Sequence, residues 1–374
     1  MGVILEKLNS KERIINTFEG KYLDRLPVFD IIHNADFIEY ASGEKLTSSN
    51  AEDITCRAAA ATLDLVRHFR IPDFLDVRET EDEDGFRYRD EWWTKQVLYI
   101  PVKTMTEVEN MIYKDIERIY RSIDKKKFGF QALEQVNLFG EYFEDPEQLN
   151  IAFERISKKL GATMMIAPET VPGLYTATHR YGFQWIIYLY YDNPELFNKY
   201  YDALVDHELF KIDCFGPTRL SKVAMISEAT AFNTGLMWPM EFIRNTIYPR
   251  VKKCMDRWKK YGYYVIFHSD GNKWEICRDI IKMGADSINP FEPLATMEIK
   301  KFRQLYPDTV CGSMIDCQDL LAFGNPEQIR QATLKAIEDS GGARTLIGST
   351  SEIHPEIKVE NAAVMYETAR NAWL

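Results

Sequence analysis

YYVIFHSDGN, Tyr263 to Asn272, is an apolar, β-branched run that ends in His268, Ser269, Asp270 and Gly271 and leads into a helix-like segment. The next apolar run but one, TVCGSMIDC, ends in Cys317. Two strand-like runs therefore each deliver a potential metal ligand just past their C-terminal ends. In a parallel barrel that is the face where chemistry is done. Imidazole, carboxylate and thiolate are all competent zinc ligands, and three protein ligands with an open position make a catalytic site. His268, Asp270 and Cys317 are the expected metal set.

On either side of this stretch the same pattern repeats. The β-like runs are LPVFDII from Leu26, IPDFLDV from Ile71, TMMIAPE from Thr163, KVAMISE from Lys222, YYVIFHS from Tyr263, DSINP from Asp286, TVCGSMI from Thr309 and RTLIGST from Arg344. In the second half, amphipathic segments such as KWEICRDIIKMG and PEQIRQATLKAIEDSGG lie between them and end at Gly or Pro, as helices do. Strand, helix, strand at this spacing means parallel βαβ units. Four such units in succession, with no GxGxxG, favour a closed barrel over an open nucleotide-binding sheet. Residues 79–160 are less regular. They hold FRYRDEWWTKQVLYI, which alternates like a hairpin, and charged helical segments such as IERIYRSIDKKK. With no linker or repeat to set them apart, they read as decorations on one domain.

The chain has 374 residues and a net charge of −11, which argues against a nucleic-acid partner. No apolar run is long enough to span a membrane. The opening MGVILEKLNSKERI lacks signal-peptide order, and the six cysteines have no close pairs. A cytoplasmic location is expected.

Further candidates sit at strand ends. Glu228 closes KVAMISE and Glu169 closes TMMIAPE; both could take a proton, join a metal or bind substrate, or could cap a helix or pair with a cation. His268 and Asp270 have the same alternatives, a hydrogen bond among the strand ends and a helix cap. His33 and Asn34 follow the first strand and would line the pocket floor, and Asn289, which ends DSIN, is a further substrate-binding candidate from the strand-end face. Tyr175, Phe232 and Trp238 neighbour the strand ends and suit a flat apolar ligand, although most aromatic rings simply pack.

At these residues the chain resembles the uroporphyrinogen decarboxylase superfamily over nearly its whole length. SKERIINTFEGKYLDRLPV, PGLYTATHRYGFQWIIYLYYDNPELF, FHSDGN, ADSINPFEP, CGSMIDCQDLLAFGNPEQIRQ and GSTSEIHPEIKVENAAVMYETAR carry the resemblance. It implies an α/β fold, a distorted (β/α)8 TIM barrel, as a single domain over 1–374 with a helical and hairpin insertion at 79–160. The decarboxylases have an arginine-rich motif after the first strand, which grips a many-carboxylate substrate. DIIHNADF has no Arg there. The resemblance thus points to the other branch, the cobamide-dependent methyltransferases. His268 matches that branch's zinc-binding His and Cys317 its distant Cys, while Asp270 stands where a middle Cys would be. An Asp makes the site harder and suits polarising an ether oxygen. The implied reaction moves a methyl group from a methoxylated, aromatic compound to Co(I) of a corrinoid. The resemblance implies that Zn2+ would sit on His268, Asp270 and Cys317, with Glu228 and Asp270 assisting catalysis. The chain lacks the Asp-x-His-x-x-Gly type corrinoid signature, so a partner corrinoid protein would carry that cofactor. Homodimerisation is a further expectation. The alternatives are methyl transfer from a methyl-corrinoid to a thiol such as coenzyme M, and a decarboxylase-like lyase.

Overall fold

The strands that position the site are short and parallel. They are β1 (Phe29–Asp30), β2 (Leu65–Val66), β3 (Met164–Met165), β4 (Val223–Ser227), β5 (Tyr264–His268), β6 (Ser287–Asn289), β7 (Val310–Gly312) and β8 (Thr345–Leu346). The computed structural model describes residues 7–67, 69–72, 76–125 and 146–373. β1, β2 and β3 form one parallel sheet; β4 to β8 form a second, in chain order. The two sheets meet at both edges. Val28 bridges Ile347 on one side and Thr170 bridges Ile226 on the other, both parallel. Phe29 N donates to Ile347 O at 2.8 Å, and Ala167 N to Val223 O at 2.8 Å.

Buried side chains explain why such short strands hold. Phe29, Leu65, Met164, Val223, Met225, Ile266, Val310 and Leu346, from seven of the strands, cluster with Ile14 and Phe18. Ile14 and Phe18 lie on the helix Ser10–Glu19, which begins with an Asn9–Glu12 capping box. Arg13 on that helix pairs with Asp24 and Asp64, and Arg25 also pairs with Asp64, all buried. Their charges offset one another out of water. The outer faces of the strands pack on helices through a larger apolar core.

Seven of the eight expected runs contain a strand at their start or centre. The second does not. The expected run Ile71–Val77 is not a strand where described, and 73–75 lie outside the described residues; the strand is Leu65–Val66. The helix Ala51–Thr62 runs almost directly into it, so no turn signal separates the two. The stretch PMEFIRNTIYPRVKKCMDRWKK, from Pro239, has helical periodicity but does not form one unbroken helix. A π-turn, Ile243–Ile247, precedes the helix Tyr248–Lys260. Pro249 lacks the N–H an unbroken helix needs, and the wider turn absorbs the defect.

The irregular region holds a three-stranded antiparallel sheet, Arg78–Glu81, Arg87–Glu91 and Thr94–Tyr99, followed by the helix Met105–Lys125. It adds one strand to the expected hairpin. Its ionic groups fasten it to the body. Arg180 pairs with Asp115 at 2.9 Å and with Asp84 at 3.2 Å, and its guanidinium lies 4.3 Å from the centre of the Phe86 ring. No described helix is long and apolar enough to cross a membrane.

Candidate functional site

Parallel register puts Ser227, His268 and Asn289 side by side at the ends of β4, β5 and β6. His268 is 7 % exposed, and its Nδ1 lies 2.6 Å from Asn289 Oδ1. Paired with that oxygen, Nδ1 carries the ring proton and Nε2 is left as an acceptor. Nε2 faces Asp270 Oδ1 at 3.5 Å, and Asp270 is well exposed to solvent. Burial first, and then the charge of Arg67, push the His268 pKa down to about 4, against the pull of Asp270 and Glu169. The imidazole is therefore neutral near pH 7. Two acceptors facing each other leave a gap that suits a hydrogen-bond donor on a ligand. Asn289 Nδ2 is buried with no hydrogen-bond partner.

Behind this row stands a buried ion pair. Arg67, just past β2, holds Glu169 with two bonds, Nε to Oε2 at 3.0 Å and Nη2 to Oε1 at 2.8 Å. Ser227 Oγ also donates to Glu169. Burial works against the Arg67 charge, but Glu169 more than offsets it and raises its pKa; Asp270 and Glu352 act the same way. Burial first, and then the charges of Asp270, Glu169 and Glu352, raise the pKa of Tyr175 on the helix Leu174–Tyr181, against the pull of Arg67. Glu352 in turn lies 2.9 Å from His33 Nδ1, past β1. His33, Arg67, Glu169, Tyr175, His268, Asp270, Asn289 and Glu352 thus make one polar cluster at the strand ends.

Several expected residues have other partners. The Cys317 thiol accepts a hydrogen bond from Thr350 Oγ1 at 3.3 Å, and burial pushes its pKa up to about 11. Zinc ligands must converge to within about 2.3 Å of one point. Among the described residues no three His, Cys, Asp or Glu side chains are so grouped. His268 and Asp270 come together without Cys317, and the residues present do not fit the three-ligand zinc site. Glu228 is buried among hydrogen-bond donors. Its carboxylate accepts from Tyr175 N at 2.8 Å, Leu174 N at 3.3 Å, Ala229 N at 3.1 Å and Tyr201 Oη at 3.0 Å. Burial raises its pKa to about 7 against these bonds. It secures the start of the helix Leu174–Tyr181. Asn34 caps the helix Ala35–Ser42 through Phe37 N and donates to Ile357 O at 2.9 Å, so it has no group left for substrate. Trp238 is stacked between Phe183 and Phe242, and its Nε1 donates to Ala229 O, so it is a packing residue. Phe232 is 63 % exposed on the hairpin Ala231–Phe232 and Gly235–Leu236, which lies against Gly271.

Arg67 was not among the expected site residues. The strand before it is two residues long, and its signal is lost behind a helix. The position just past a parallel strand would have singled it out once that strand was placed.

The family model described as Uroporphyrinogen decarboxylase (URO-D) matches residues 154–372. Among solved structures, a methyltransferase from Methanosarcina mazei superposes with a TM-score of 0.65 at 14% identity, over 97% of this chain and 99% of that one. A B12-independent methionine synthase from Shewanella, in complex with selenomethionine, gives a TM-score of 0.41 at 12% identity over 58% of this chain and 66% of that one. No curated protein sequence matches. The first likeness is one of fold, and the second is too distant to bear on the site.

Proposed function

Because the chain belongs to the uroporphyrinogen decarboxylase family, we propose that it is the family's methyl-transferring kind of enzyme. It takes the methyl group of a small methoxylated, aromatic compound and passes it to the Co(I) of a corrinoid held by a partner protein. The fold that goes with this reading is a closed (β/α)8 barrel, one domain over 1–374 decorated at 79–160. The bridges at both sheet edges and the interior cluster drawn from seven strands support it.

One observation carries the choice of reaction. The Arg among the polar cluster, Arg67, is already bound bidentate by Glu169. A substrate with many carboxylates needs unclaimed cations, and the cluster offers it carboxylates instead. A neutral substrate with an oxygen leaving group fits better. When docked, the corrinoid would supply the nucleophile. The chain's own residues orient the substrate and manage the charge left behind. The neutral His268 accepts a substrate hydroxyl at Nε2, with Asp270 beside it.

The test is to mix the purified protein, a Co(I) corrinoid protein and a panel of methoxybenzenes under reducing conditions, and to follow the cobalt spectrum. Methyl-cobalt should appear with at least one donor and depend on His268. Its absence with every methoxylated compound ends this reading.

A further inference from the structure

The inserted sheet does more than decorate the fold. The turn between its second and third strands is Trp92–Trp93, and it reaches the polar cluster. The Trp92 ring meets His33 edge-on, with centroids 5.8 Å apart, and the Trp93 ring lies tilted at 6.1 Å from the same His33. His33 follows β1 and is joined to Glu352 at 2.9 Å, and Glu352 acts electrostatically on Arg67 and Tyr175. Trp92 is 4 % exposed and buried in the core. Trp93 is half-buried, and its Nε1 is turned aside to Glu91 Oε2 at 3.2 Å. The indole's polar atom is thereby satisfied within the turn. Tyr175 of the cluster is 42 % exposed and stacks on His179.

Resting on the reading of the site given above, we propose that the Trp92–Trp93 turn is its specificity element. Trp93 is the wall against which a flat, uncharged aromatic ring of the substrate stacks, and Trp92 is the buried anchor that holds the wall in place. The physical grounds are three. A rigid indole offers much contact area at little entropic cost. The turn cannot swing freely, because Trp92 is in the core and the Arg180, Asp84 and Asp115 network ties down the sheet behind it. The neighbouring polar groups, Glu352 and Asp270, would repel an anionic ligand, so the ring selected is neutral.

The experiment measures binding without a corrinoid, so that it stands apart from methyl transfer. Calorimetry with 2-methoxyphenol compares the full-length protein with Trp93→Leu and Trp93→Phe. Leu keeps apolar bulk and loses the ring; Phe keeps a ring. Trp93→Leu should weaken binding about tenfold, and Trp93→Phe should stay within about threefold. Ligand should also quench indole emission in the natural protein, and Trp93→Phe should lose that quench while still binding; this arm decides the matter even if Trp93→Leu does not fold. Equal binding by Trp93→Leu, an undiminished quench in Trp93→Phe, or no binding of any neutral methoxyphenol by the natural protein would overturn the proposal. Binding with no methyl-cobalt formed would overturn the reaction proposed above and leave the wall standing.

Discussion

His268 is tied on one nitrogen and open on the other, and this asymmetry makes it the centre of the site. Replacing it with Gln, or Asp270 with Asn, should lower kcat/KM for methyl transfer about a hundredfold, the usual scale for a positioned acid–base group. The thermal midpoint should barely move for Asp270, which is exposed. Cys317→Ser should cost less than about threefold, because its thiol bonds to Thr350 rather than to a shared cation. Single-turnover methyl-cobalt formation checks both, and a Cys317→Ser loss as deep as that of His268 would restore the metal centre. Asp30 yields a prediction in stability. Its carboxylate is buried beside Ser349 and Ile31, and burial outweighs their hydrogen bonds to raise its pKa to about 6. A raised carboxyl favours the folded state below the unfolded value near 3.8 and loses that contribution as pH rises through about 6. The loss is about 3 kcal/mol at neutral pH. Denaturant titrations from pH 4 to 7 should show that slope, and Asp30→Asn should flatten it whatever constant offset its lost acceptor brings. His268, Asp270, Asn289, Glu169 and His33 were readable from sequence because each sits where an apolar run stops. Glu228 and Asn34 sit there too, and only their hydrogen bonds separate a helix cap from a reactive group.

Strands of two to five residues read well from sequence when a long apolar run frames them, as around Val223–Ser227 and Tyr264–His268. Leu65–Val66 has no such frame; its pairing with Phe29–Asp30 and Met164–Met165 makes it a strand, and those partners are distant in sequence. The same partnership decides how β8 meets β1. A Cβ added at Gly348 would sit 1.9 Å from Phe29 O, closer than any contact allows. Gly348→Ala must therefore push the two strands apart at the edge where the sheets join, at a cost of about 3 kcal/mol. A urea midpoint that stays put would mean this edge is slack and that the strands do not close into a barrel. The loop that carries Asp270 has a matching constraint. Gly271 has φ +79°, and an added Cβ would strike the Phe232 backbone at 2.5 Å. The hairpin that bears Phe232 is held to that loop by close backbone approach, which only glycine permits.

The whole molecule joins two parts of different origin in sequence: a regular set of parallel strands and an irregular insertion. Periodicity showed the first; the second was visible only as a break in the pattern, and nothing in its composition told where its turn would point. The junction is Arg180. It faces Asp115, Asp84 and Asp82 at the back of the inserted sheet and is 8 % exposed. Arg118 answers part of that negative charge, reaching Asp84 and, at 3.3 Å, Asp115. Arg180→Met removes the larger share and leaves Asp115, 3 % exposed, with Arg118 and the Tyr181 hydroxyl alone. Breaking a buried pair by removing one partner costs about 3–5 kcal/mol. Two measurements should move together if the sheet is held as argued. The chemical midpoint falls, and at temperatures where the protein is still folded KM for a methoxyphenol rises while kcat stays within about twofold, since a loosened wall weakens binding without touching His268. A drop in kcat with KM unchanged would mean that the insertion acts on the reacting groups themselves and not through the wall it carries.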